Sequence, residues 1–405
     1  MGFAPLFHSV PGSGLADSTF GALMGGATTS VTSSDSEITF SKAGTLSLLA
    51  VNNLGGTNTH TATVQANATP GALTVSFTGT GFSEDTTHSQ SIAADDEANV
   101  KYTDTGTSPT YAWLRTVFSA SSGHWYPMFA ARAAGVIMDQ TSSRYLPVTG
   151  SITPDGFSTI AVAEVRMKTA GEVSLLQINA TVNAAVSSRT FTVYKNGSAT
   201  GVTVTFSAGE TGIKVSSSSA VSYVADDLLA VHIEALTATD DITITTVGVW
   251  CQSTGGAYTD VFGGYSASGA DITRAASATA NYTGPGGQMT ALTETTAANK
   301  EWRFGFAGTL TNPRVYLSAN SYASDGTMRI MNTTDGTSLT VTLTAGGGAG
   351  WYLQDTGSIS FDASDVFVME WDEGGASGSI TVDAVGYTVL DGSAGGDTLM
   401  GQACL

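Results

Sequence analysis

"VSYVADDLLAVHIEA", Val221 to Ala235, sets two adjacent aspartates, Asp226 and Asp227, directly before an alternating apolar run. Paired carboxylates suit acid–base chemistry or a bound metal. They suit a turn into a strand equally well. Leu229, Val231 and Ile233 alternate with Ala230, His232 and Glu234. That period of two marks a half-buried strand.

The same stretch occurs twice more. "IAADDEANVKY" and "FDASDVFVMEW" align with "YVADDLLAVHI" on Asp96, Asp227 and Asp365. An aspartate at one place in three copies, each time ahead of a strand, points to turn chemistry. Its side chain bonds nearby backbone N–H groups and holds the corner. A calcium site is the competing reading, because calcium needs several oxygen ligands. Ser364 replaces the first carboxylate in the third copy, which counts against it.

Around this corner the rest of a repeat lines up. "EITFSKAGTLSLLAVNN" from Glu37, "AEVRMKTAGEVSLLQIN" from Ala163 and "KEWRFGFAGTLTNPRVYL" from Lys300 each carry a short strand, Ala-Gly and a second strand. A hairpin follows, clearest in "RTFTVYKNGSATGVTVTFSAG", where Asn196-Gly197 marks the turn. "TYAWLRTVFSA", "DITITTVGVWCQ" and "SITVDAVGYTVL" close the three units. The Ala-Gly pairs at 43, 170 and 307 recur roughly every 130 residues, the length of a whole β-domain.

The fold class expected is all-β: three tandem, jelly-roll-like β-sandwich domains joined by aromatic and Gly-rich linkers. The expected division is an N-terminal arm over 1–27, sandwiches over 28–121, 157–253 and 289–391, linkers over 122–156 and 254–288, and a C-terminal tail over 392–405. The linkers are longer than ordinary loops and rich in aromatics, so they either add strands to the sandwiches or pack against neighbouring subunits. Trp125, Tyr126, Phe129, Tyr145 and Tyr265 are the candidate interface residues. Three sandwiches in series would make a rod on the order of 100 Å.

Composition agrees with strands. Of 405 residues, 41% are apolar and only 12% charged, with 48 glycines. Disorder needs the opposite balance. A formal net charge of -19 repels phosphate backbones and excludes nucleic acid as an expected partner. The start of the sequence lacks a secretory signal pattern, and no apolar run approaches a membrane span. The two cysteines, Cys251 and Cys404, give no disulfide framework or zinc pattern, and both are expected as free thiols.

Catalytic patterns are missing. His8, His60, His88, His124 and His232 share no metal-ligand spacing. "TAGGGAGW" from Thr344 lacks the Lys-Ser/Thr of a phosphate loop and reads as a hairpin turn. Asp372-Glu373 is the best remaining acidic pair and falls in a turn. Neither an enzyme nor a cofactor nor a metal is expected. Tyr322, Trp351 and Trp371 stand near turns and are the candidate glycan contacts of an alternative reading, a carbohydrate-binding adhesin. A polysaccharide depolymerase is a third.

The succession of strand, Ala-Gly, strand, "VYKNG" hairpin, "ADDLLAV" and closing strand resembles the jelly-roll modules of tailed-phage virion proteins. "TSSRYLPVTGSI" resembles the connectors before such modules in phage fibre and head-decoration proteins. The corner into an apolar strand also resembles trimeric jelly rolls of the tumour-necrosis-factor and C1q type. The resemblance implies a fibre or capsid decoration protein on the virion surface, made in the host cytoplasm. It implies a homotrimer, with capsid or tail proteins and a host surface glycan as partners and no membrane insertion. Edge strands that need covering add a physical reason to expect association.

Overall fold

A computed structural model describes residues 3–9, 19–21, 23–26, 33–104, 110–138, 142–149, 156–216, 220–235, 241–256, 258–264, 272–275, 279–284, 287–288, 292, 294–372 and 377–392. Nearly all regular structure among them is strand, as the composition led us to expect. The exceptions are the one-turn helix α1 (Ile160–Ala163) and two 3-10 turns, Ser33–Ser36 and Ala297–Asn299.

The first copy contains β1 (Phe3–Ser9), β2 (Thr19–Gly21), β3 (Gly25–Gly26), β4 (Ile38–Thr39), β5 (Gly44–Gly55), β6 (His60–Ala66), β7 (Thr69–Phe77), β8 (Gly81–Ile92), β9 (Glu97–Asp104) and β10 (Thr110–Ala120). Its inner sheet runs β3-β1-β10-β5-β8, and its outer sheet runs β2-β9-β6-β7 with β4 also on β9.

The second copy contains β11 (Trp125–Met138), β12 (Arg144–Leu146), β13 (Val165–Arg166), β14 (Gly171–Asn183), β15 (Arg189–Lys195), β16 (Ser198–Phe206), β17 (Gly212–Val215), β18 (Val221–Tyr223), β19 (Leu228–Ile233) and β20 (Ile242–Ser253). The inner order is β11-β20-β14-β17 and the outer order β12-β19-β15-β16.

The third copy contains β21 (Tyr258–Gly264), β22 (Ile272–Ala275), β23 (Asn281–Thr283), β24 (Gly287–Gln288), β25 (Gly308–Asn320), β26 (Gly326–Asn332), β27 (Thr337–Leu343), β28 (Gly350–Leu353), β29 (Ser358–Phe361), β30 (Phe367–Asp372) and β31 (Ser379–Asp391). Its sheets run β24-β21-β31-β25-β28 and β23-β30-β26-β27. In all three copies the order of the antiparallel strands is that of a jelly roll, two facing sheets wound as Greek keys, and β3 on β1 and β24 on β21 add short parallel edges.

The hairpin strands show why these residues pair. Along β16 the burial alternates, with Val202, Val204 and Phe206 inward and Thr203 and Thr205 outward. Successive side chains of a strand point to opposite faces, so one face packs and the other meets water. In β5 and β25 one residue each, Leu48 (φ 53°) and Asn312 (φ 51°), is left-handed where the ladder skips. Such bulges bend the strand and re-aim the side chains beyond them.

The stretch 1–27 and the segments 122–156 and 254–288 supply strands to the sheets. β1 pairs with β10, β11 with β20 and β21 with β31, while β2, β12 and β23 begin the outer sheets. Of the two roles open to the linkers, strand supply is the one seen in the pairings.

Three large apolar clusters fill the spaces between facing sheets. They do not stop at the copy boundaries. The cluster of the first copy takes in Trp125, Phe129 and Trp250 of the second. That of the third takes in Phe7, Ala50, Trp113 and Val117 of the first. Each copy touches both others, so the serial rod gives way to a closed cycle. The outward faces of the inner sheets carry apolar side chains, whose burial against a neighbour is favourable, and amides that find hydrogen-bond partners there.

Candidate functional site

The repeated aspartates sit at one kind of corner. Asp96 Oδ2 accepts from the Ala93 backbone N–H at 2.7 Å, Asp227 Oδ2 from Val224 at 2.9 Å, and Asp365 Oδ2 from Asp362 at 3.0 Å. A side-chain amide clamps the same carboxylate each time: Asn67 at 2.7 Å, Asn196 at 2.6 Å and Asn332 at 2.9 Å. The amide oxygens then accept backbone N–H groups in return, from Glu97, Leu228 and Thr334. Each clamp ties the hairpin turn to the strand beside it.

The neighbouring aspartates differ. Asp95 and Asp226 are left-handed, with φ of 69° and 76°. Asp226 faces Arg166 at 3.0 Å and Lys168 at 2.6 Å. Burial alone would raise the Asp227 carboxyl. The Asn196 amide, the Val224 N–H and the Lys195 ammonium outweigh it and hold the group below the usual carboxylate range.

Between copies the contacts follow a cycle. In the seam between the second and first copies, Trp250 lies against Phe40 and Phe118, with ring centroids at 5.3 and 5.6 Å. Its indole donates to Thr39 O at 3.1 Å, and the Thr39 N–H donates to Gln177 Oε1 at 3.1 Å. Asn179 Nδ2 donates to Ser34 O at 2.7 Å.

The first copy meets the third in the same way. The Trp113 indole donates to Glu301 O at 2.6 Å, and Asn52 Nδ2 to the same oxygen at 3.1 Å. Arg115, fully buried, donates to Arg303 O at 2.6 Å and pairs with Glu84. Thr39 and Arg303 stand at matching places before their Ala-Gly pairs. Gly305, at φ +78°, makes room: a Cβ there would lie 2.6 Å from the Arg115 guanidinium.

The third copy closes the cycle on the second. Tyr316 packs with Trp351 at 5.5 Å, beside Phe157 and Ala161. Lys168 Nζ lies 2.8 Å from Asp355 Oδ1. Asn52, Asn179 and Tyr316 share one offset from Gly44, Gly171 and Gly308, so one structural position crosses every seam.

The candidate interface aromatics take several places. Trp125 and Phe129 are buried in the first copy's cluster, with Lys42 Nζ 4.3 Å from the Trp125 ring. Tyr126 is fully buried in the second cluster and shares a hydrogen bond with Tyr223 at 2.9 Å. Tyr145 is half-buried on the outer sheet, and Tyr265 lies outside the described residues.

Of the candidate glycan contacts, Tyr322 and Trp371 are core residues, and the Trp371 indole donates to Thr283 Oγ1 at 3.0 Å. A sugar platform needs an open ring face, and a ring enclosed in a core offers none. Trp351 is half-buried in the seam with Tyr316. His124 is buried and bonded to Thr259 at 2.9 Å. Cys251 is buried in the second copy's cluster. Cys404 and Glu373 lie outside the described residues.

The sequence reading missed the clamp partners Asn67, Asn196 and Asn332 as side chains that act on the aspartates. It also missed the seam residues Asn52, Arg115, Gln177 and Asn179. Of these, Asn52 and Asn179 recur at one offset from Gly44 and Gly171, and that recurrence was their signal. Among the described residues, no group of three or more His, Cys, Asp or Glu could hold a metal ion, and no helix is long and apolar enough to cross a membrane.

No family model matches the chain, and no curated protein matches it. Among solved structures it is similar to a protein in a study of the triple jelly roll fold and turret assembly of an archaeal virus. That match has 10% identity and a TM-score of 0.20, over 88% of this chain and 82% of that one. It is also similar to a protein of Sulfolobus turreted icosahedral virus, with 10% identity and a TM-score of 0.19 over 86% and 80%. A Paenibacillus xanthan lyase matches with 8% identity and a TM-score of 0.20, over 85% of this chain and 51% of the lyase. Likeness at these TM-scores carries no argument about what this chain does.

Proposed function

We propose that the chain is a non-enzymatic structural component of a virus particle, a capsid decoration protein rather than a fibre. The closed cycle of three jelly rolls is the observation that supports it most. Arg115, Asn52, Gln177, Asn179, Trp113 and Trp250 are large polar or amphipathic side chains, and each holds one copy's backbone to another's. Such a compact cycle suits a seat on a shell better than an extended stalk. The motif resemblance to tailed-phage modules supports a place on a virion, for fibre and decoration protein alike.

What a homotrimer of single sandwiches would bring together, this chain brings together alone. The assembly we propose is therefore one chain per seat, bound to capsid proteins. Mass spectrometry of density-purified particles is the test of the role. Peptides of this chain at many copies per particle support it, and their absence from particles overturns it. Light scattering tests the assembly: a native mass near 41.2 kDa supports the single chain, and three times that value restores the homotrimer.

A further inference from the structure

The outer sheets present the same row of four residues in each copy. It reads Phe20–Lys101–Thr63–Thr74 in the first. It reads Tyr145–His232–Thr192–Thr203 in the second and Tyr282–Glu370–Arg329–Thr340 in the third. These side chains point away from the cores, because their strand neighbours Val100, Val231, Val193, Met369 and Met328 are buried.

The three rows have diverged in charge. In the first copy Lys101 Nζ lies 5.9 Å from the Phe20 ring. In the third, Arg329 pairs with Glu370. The second has no permanent charge in the row and adds another ring, Tyr194. Tyr194 lies 4.7 Å from His232 at 34° between planes, and Tyr145 lies 5.2 Å from His232 and 5.9 Å from Tyr194. All three rings are half-buried, set on paired strands of one sheet.

Burial lowers the His232 pKa more than nearby Glu234 raises it, so the imidazole is neutral at pH 7. Beyond the rings the face continues in hydroxyls: Thr192, Thr203 and the Thr190–Thr205 pair at 3.0 Å. Such a face has ring surface, hydroxyls and little charge, in a chain whose formal net charge is -19.

We propose that this face of the second copy is a binding site for a neutral sugar, with Tyr145, Tyr194 and His232 as its platform. A pyranose offers C–H bonds to stack on a ring and hydroxyls for the threonines and the exposed Glu234 carboxylate. A phosphate or acidic polymer meets no cation in this row. The inference stands apart from the virion role and survives its failure.

The test is titration of the full chain, by saturation-transfer NMR at millimolar sugar, with cellohexaose, maltohexaose, a mannan oligomer and a galactan oligomer. Wild type binds at least one. Tyr194→Ala weakens that binding about tenfold, while Tyr194→Phe, which keeps the ring, and Tyr282→Ala, at the matching row of the third copy, stay within about twofold. Tyr145→Ala serves in place of Tyr194→Ala should the latter not fold. No binding by any of the four probes overturns the proposal, as does binding that both ring deletions leave unchanged. A concentration-dependent rise in mass that Tyr194→Ala abolishes would also overturn it, assigning the face to a contact between two copies of the chain.

Discussion

Three aspartates and three asparagines, far apart in sequence, meet at three corners. Each carboxylate accepts one backbone N–H and one amide, so removing it leaves both donors without that partner. Asp227→Ala should cost about 1–3 kcal/mol in urea unfolding at pH 7, the range for stranded hydrogen-bonding groups. The folded pKa of Asp227 is depressed. Its contribution is thus present above the unfolded carboxylate value of about 3.9 and fades as pH falls through the folded one, so the variant's deficit should shrink in acid. Glu97 has the opposite sign: burial, and then the Glu37 carboxylate beside it, raise its pKa. Its contribution is present below the unfolded value of about 4.3 and is lost as pH rises. Glu97→Gln should therefore raise the melting temperature at pH 7, a gain that disappears near pH 4. The aspartates were legible because they recur ahead of an alternating strand. The asparagines were less so: Asn196 precedes Gly197 in a familiar turn signal, but Asn67 precedes Ala68 and Asn332 precedes Thr333.

The hairpin strands were easy to read, and the inner-sheet strands β1 and β11 were not. β15 and β16 have one face on the core and one in water, which writes a period of two into the sequence. β1 has no such half. Ala4 joins the second cluster, Leu6 the first and Phe7 the third, so neighbouring positions are all buried and the alternation vanishes. "WYPMFAARAAGVIM" in β11 reads as an apolar linker for the same reason: Tyr126 and Met128 face one core while Trp125 and Phe129 face another. A strand shared between cores should be costly to damage. Phe7→Ala removes a ring packed on Trp113 and Phe304, at 6.1 and 6.2 Å, from the seam of the first and third copies. We expect a loss of about 3–5 kcal/mol, measured by urea unfolding against wild type.

At the scale of the whole chain, the repeat predicted three sandwiches but not their packing. A rod and a cycle use the same strands. What separates them is the outward face of the inner sheets, where Gln177, Asn179, Trp250, Asn52, Trp113 and Arg115 find backbone partners in another copy. A chain of this length with independent domains unfolds in several steps, because two-state behaviour belongs to single small domains. A cycle is different: no copy can unfold without stripping cover from the clusters of its neighbours, since Trp250 and Trp113 are buried in cores that are not their own. Scanning calorimetry of the wild type should therefore show one endotherm, with the calorimetric enthalpy close to the van't Hoff value. Trp250→Ala should cost about 3–5 kcal/mol, and the double variant with Trp113→Ala, which opens two of the three seams, should split the endotherm. Separate transitions already present in the wild type would mean that the seams are contacts between finished domains. The cycle would then carry no cooperative role.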